Sequence, residues 1–98
     1  MYGSMFRMKV KPGKTQDVIA IFEKWAKEVR PGVTGSVGGY LLQPDNKVNE
    51  LVGIAVFKDE KSYRGNSDSP GQNEWYEALR ALLTADPEWE DGKFVAVE

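Results

Sequence analysis

Ser67-Asp68-Ser69-Pro70-Gly71-Gln72-Asn73-Glu74-Trp75-Tyr76-Glu77-Ala78-Leu79 joins a sharp helix start to the densest aromatic pair in the chain. Ser69 is a strong N-cap, because its hydroxyl can accept from a free backbone N–H of the first turn. Pro70 then takes the first helical position, where its missing N–H costs nothing and its fixed φ suits the helix. Gln72 stands where a capping box would reach back to the cap, and Glu74 adds negative charge near the positive helix end. Trp75, Tyr76, Leu79, Leu82 and Leu83 recur at helical spacing, so the pattern predicts an amphipathic helix from about 70 to 84, broken by Asp86-Pro87.

The flanking chain alternates period-2 and period-3.6 patterns. Residues 2–11 read as a strand, with Phe6, Met8 and Val10 alternating against Arg7, Lys9 and Lys11 until Pro12-Gly13 turns the chain. A helix follows, which Thr15 is placed to cap. It carries Val18, Ile21, Phe22, Trp25, Ala26 and Val29 on one face and ends at Pro31-Gly32. A second strand spans roughly 36–43, where Gly38-Gly39 suggests a bulge or a close approach of backbone or ligand. Glu50 to Phe57 is a third strand, apolar on both sides and close enough to form a hairpin with the second. Asp59 can cap a short helical turn over Glu60–Arg64. Asp91-Gly92 reads as a turn, and Lys93–Glu98 as a last strand.

Strand, helix, strand, strand, helix, strand is the order of an α+β, ferredoxin-like βαββαβ antiparallel sheet with two helices on one face. Ninety-eight residues suffice for one domain, 1–98, with a thin core. The third strand leaves apolar side chains on the far sheet face, and a second copy is the expected cover, giving a homodimer through that face.

Composition narrows the chemistry. With no cysteine and no histidine, the chain lacks thiolate nucleophiles, the commonest general base and the commonest transition-metal ligand. No metal site is expected. A net charge of −2 without a basic stripe argues against nucleic acid. No stretch approaches membrane-spanning length and no signal peptide opens the chain, so a cytoplasmic protein is expected.

These elements resemble the dimeric α/β-barrel superfamily, in particular its antibiotic-biosynthesis-monooxygenase-like (ABM) group. The resemblance rests on Lys11-Pro12-Gly13-Lys14, Gly39-Tyr40, the block Leu51–Phe57, Lys58-Asp59-Glu60-Lys61-Ser62-Tyr63, and Ser69-Pro70 with its helix. It implies a barrel-like homodimer with one pocket per subunit between sheet and helices. It also implies cofactor-independent oxygenation of polyphenolic or quinol substrates, or haem degradation. The haem-degrading branch uses an asparagine on the first strand, a tryptophan before the second long helix and a histidine on it. Here Phe6 and Tyr63 stand at the first two places, and Gly71-Gln72-Asn73 follows the cap without a histidine. Haem degradation is therefore not expected, and no cofactor is.

The cofactor-free oxygenases use asparagine, tryptophan and tyrosines about their pocket. Tyr40, Asn66 and Trp75 are the candidate catalytic residues by that resemblance, and Phe22, Trp25, Tyr63, Asn73 and Tyr76 the candidate pocket. Each also has an ordinary reading: aromatic stripes usually pack cores, and asparagines favour turns. Arg7 or Arg64 could neutralise an anionic substrate. The expected function is a monooxygenase-like enzyme acting on a small aromatic or quinol-type molecule. The alternative is a non-catalytic dimeric module of the same fold that binds a small ligand or serves a structural role.

Overall fold

The computed structural model describes residues 1–96. Its four-stranded antiparallel sheet has the order β2-β3-β1-β4, from Ser36–Leu42, Glu50–Phe57, Tyr2–Lys9 and Glu88–Lys93. Three helices accompany it: α1 over Thr15–Glu28, α2 over Glu60–Ser67 and α3 over Pro70–Arg80, with a 3-10 turn at Arg30–Gly32. This is the expected ferredoxin-like arrangement, with the short turn after Asp59 grown into a two-turn helix.

The caps explain the helix boundaries. Ser69 Oγ accepts from Gln72 N at 3.3 Å and donates to the Asn66 carbonyl at 2.8 Å, tying the end of α2 to the start of α3. The Gln72 side chain does not close a capping box; its Oε1 accepts from Asn66 Nδ2 at 3.4 Å. Asp59 Oδ1 accepts from Ser62 N at 2.8 Å and caps α2. Thr15, expected as the cap of α1, is its first helical residue instead. Lys14 precedes it without a side-chain cap, and that end is held by the Lys14 N to Lys11 O backbone bond at 3.0 Å and an exposed Lys14–Asp17 pair 3.9 Å apart. Helix α3 stops at Arg80 rather than 84, because the chain tightens into i→i+3 bonds, Leu82 N to Leu79 O and Leu83 N to Arg80 O. The tightening swings Leu83 onto the sheet, where it bridges Val10.

The fourth strand corrects the sequence reading. Glu88–Lys93 pairs antiparallel with β1, Arg7 opposite Glu88 and Tyr2 opposite Lys93. Asp91-Gly92, expected as a turn, lies inside this strand, Gly92 opposite Gly3. An edge strand has one neighbour and tolerates a polar sequence, which hid it from an apolar search. Residues 94–96 have no regular structure, and the rest of the expected strand, 97–98, lies outside the described residues.

The apolar core fills only one half of the space between sheet and helices. Met8, Val10 and Leu51 on the sheet meet Val18, Leu79 and Leu83, all essentially sealed from solvent. The strands' other half carries small residues toward the helices, and there the packing opens.

Candidate functional site

Antiparallel register places opposed residues on the same face. One transverse row facing the helices runs Gly39, Ala55, Ser4, Asp91 across β2, β3, β1 and β4. Three small residues in a row form a floor without bulk. Three inter-strand steps of about 4.8 Å give it a span of about 14 Å. The adjoining row is Leu41, Gly53, Phe6, Trp89. Here the Phe6 ring lies directly over Gly53, so closely that a side chain at 53 would overlap it.

Above the floor lies a cleft of about 690 Å³, within the range of small-molecule sites. Its roof is aromatic. Phe22 and Trp25 reach down from α1 and Trp75 from α3; Trp75 meets Phe22 edge-on at 5.1 Å and Trp25 at 6.3 Å between ring centres. Tyr76, one residue around α3, points instead toward β4 and lies 6.4 Å from Trp89. Trp89 in turn packs on Phe6 at 4.6 Å. Asn66 and Asn73 border the cleft from the ends of α2 and α3. The hydroxyl of Ser4 and the Nε1 atoms of Trp25 and Trp75 are buried without a partner among the described residues. All three are sealed by the surrounding side chains, so they are not contacts for a ligand in the cleft as it stands.

The β4 end of the floor carries a polar clasp. The Tyr63 hydroxyl donates to Asp91 Oδ1 at 2.9 Å, and Arg64 Nη1 donates to Asp91 Oδ2 at 3.1 Å. Arg64 Nη2 donates to the Tyr2 hydroxyl at 2.9 Å, and the guanidinium also lies over the Tyr2 and Tyr63 rings. Burial, chiefly, raises the Tyr63 pKa above its usual 10; the neighbouring Ser4 hydroxyl and Arg64 oppose this, while the Asp91 bond and charge reinforce it. Ser4 Oγ lies beside that phenol without completing a hydrogen bond to it. Tyr63 is thus a neutral donor near pH 7, and Asp91 is an anion already matched by Arg64.

All eight candidate residues from the sequence border this one cleft. Tyr40 does so differently from the rest. It is opposite Ile54 and next in chain to the inward-packed Leu41, so its ring stands on the far sheet face, 72% exposed. A bulge between Ser36 and Gly38 precedes it in β2 and shifts the alternation there. Sequence reading missed Ser4, Trp89 and Asp91 as cleft residues. Ser4 followed the alternation of Phe6 and Met8 and was open to inference; the other two sit in the unrecognised strand.

The sequence profile described as antibiotic biosynthesis monooxygenase matches residues 1–78. The chain belongs to the antibiotic biosynthesis monooxygenase family. Among solved structures it is similar to SnoaB, a cofactor-independent oxygenase from Streptomyces nogalater. The identity is 27%, with 98% of this chain and 94% of that one covered and a TM-score of 0.83. A conserved protein from Methanosarcina mazei Go1 aligns at 20% identity over 94% of this chain and 90% of that one, TM-score 0.82. A family monooxygenase from Chloroflexus aurantiacus J-10-fl, so described provisionally, aligns at 20% over 99% and 95%, TM-score 0.79. These last two speak to the fold alone. No curated protein matches the chain. Among the described residues, no helix is long and apolar enough to cross a membrane, and no group of three or more carboxylates is placed to hold a metal ion.

Proposed function

We propose that this protein is a cofactor-independent monooxygenase acting on a small aromatic or quinol-type molecule held in the cleft. The observation that carries this reading is the aromatic roof, Phe22, Trp25 and Trp75, above a floor of small residues, which leaves a flat slot suited to stacking a planar ring. The SnoaB likeness supports it. In this reading the ionised substrate gives one electron to O₂. The resulting superoxide and substrate radical combine, and the hydroperoxide loses water to leave a carbonyl. One CH₂ becomes one C=O, and the second oxygen atom leaves as water. The protein desolvates the substrate and offers amide donors, Asn66 and Asn73, to its developing anionic oxygen. Tyr63 is held protonated and Asp91 is ion-paired, so neither is a free base; the substrate must be acidic enough to ionise on its own. Tyr40, on the far face, has no part in this chemistry.

Residues 1–98 act as one domain in this reading, cytoplasmic and homodimeric. Support for the dimer comes from the far sheet face, where Met5, Val52, Ile54, Val56, Tyr40 and Leu42 gather by register. Tyr40 and Leu42 are exposed at 72% and 57% there, and burying such a patch is favourable.

The engagement of both ionisable groups at the floor favours a second reading, a non-catalytic module that binds the same class of ligand. Oxygen uptake with hydroquinones and anthrones separates the two. Turnover above the buffer rate supports the enzyme; saturable binding without turnover supports the module.

A further inference from the structure

Two cations border the cleft, Arg64 and Arg30, and they differ in one respect. Arg64 is fully engaged, by Asp91 at 3.1 Å, Glu60 at 3.6 Å and the Tyr2 hydroxyl. Arg30 is half-buried, yet among the described residues no carboxylate lies within ion-pair distance of it and its guanidinium makes no hydrogen bond. A partly desolvated charge without a counter-charge is costly, and the cost is relieved by a bound anion. Arg30 also has a defined place. It follows α1 directly and lies beside Gly38 of β2, where a Cβ would stand 3.8 Å from its Nη1. Gly38 is next in chain to Gly39, the floor residue at the end opposite Asp91.

We propose that Arg30 sets the specificity of the cleft by taking a carboxylate carried on the aromatic ligand. This rests on the reading of the cleft as an aromatic site and adds the ligand's charge and orientation. The ring stacks under Trp25 and Trp75, the carboxylate meets Arg30 over the bare backbone of Gly38-Gly39, and the opposite edge meets Tyr63. The planar guanidinium fork matches a carboxylate with two parallel hydrogen bonds, which an ammonium cannot do. At the Asp91 end the one cation, Arg64, is already engaged by Asp91 and Glu60, so the carboxylate finds a free guanidinium only at Arg30, and that fixes which way round the ligand lies. Glu23 also borders the cleft, but it is exposed and not paired with Arg30; water screens its repulsion.

Calorimetric titration of the full chain with 2-naphthoate and with its methyl ester tests this. In the wild type the acid binds about ten-fold or more tightly than the ester. The preference disappears in Arg30→Gln with ester affinity unchanged, returns in part in Arg30→Lys, and shrinks as salt rises. Trp75→Ala weakens both ligands. An acid preference that survives Arg30→Gln, or that is absent from the wild type while the ester still binds, overturns the role of Arg30 and leaves the aromatic cleft standing. If neither ligand binds, or if Trp75→Ala changes nothing, the cleft reading falls and this inference with it.

Discussion

The Tyr63 hydroxyl donates to Asp91 across 2.9 Å, joining helix α2 to the edge strand β4 at the polar end of the cleft. The bond couples stability to alkaline pH. The folded-state pKa of Tyr63 lies above the unfolded value, so the folded protein holds its proton longer than the unfolded chain does. Its contribution is fully present below about pH 10 and is lost as pH rises through the folded pKa. Denaturation midpoints measured from pH 8 to 11.5 should therefore fall at the alkaline end, and fall less in Tyr63→Phe. Equal alkaline slopes in the two proteins would show that the phenol is not held as described.

Ser69→Ala removes the acceptor for Gln72 N and the donor to Asn66 O. Loss of an N-cap of this kind costs about 1 kcal/mol, or about 4–8 °C in Tm for a chain of this size. Ser69→Asp, which keeps a capping oxygen, should recover most of that stability in urea denaturation. A neutral Ser69→Ala would mean that Pro70 alone sets the helix start.

Gly53→Ala places a methyl group where the Phe6 ring lies. The ring must swing away from β3, and the row Leu41, Gly53, Phe6, Trp89 loses its fit. Overpacking of this sort costs about 1–3 kcal/mol, and the displaced ring intrudes on the cleft. Denaturation and naphthoate titration should show reduced stability and weakened binding together.

On the far face, Ile54→Lys sets a charge in the middle of the apolar patch without touching the helix-facing residues. Light scattering should give twice the chain mass for the wild type and a monomer for the variant. A wild-type monomer at micromolar concentration would leave that patch without the partner proposed for it.

Much of this arrangement was legible in the chain, and the misses have physical causes. Ser69-Pro70, Asp59 and the run Leu51–Phe57 each signal through local chemistry, a cap or a continuous apolar strand, and local signals survive folding. Strand β4 does not signal this way. Glu88–Lys93 holds one apolar side chain, Trp89, and its pairing is set by β1 across more than eighty residues of sequence. With it went Asp91, so Tyr63 and Arg64 were named without the carboxylate that clasps them. The face that Tyr40 takes was hidden for a different reason. Gly38-Gly39 was read as a sign of a bulge or of a close approach; the strand has a bulge between Ser36 and Gly38, which shifts the alternation by one residue, and one residue decides which face a side chain takes. Phe22, Trp25 and Trp75 needed no such correction, because helical periodicity alone points them at the sheet.

The central claim is that the aromatic cleft binds and oxidises a planar, acidic aromatic molecule without a cofactor. Oxygen-electrode measurement with a hydroxyanthrone, comparing wild type with Trp75→Ala, tests it most directly. The account predicts saturable oxygen uptake by the purified chain with nothing added, about one O₂ per carbonyl formed, and a rate at least ten-fold lower in Trp75→Ala. Uptake no faster than buffer alone, or an unchanged rate in Trp75→Ala, would contradict it.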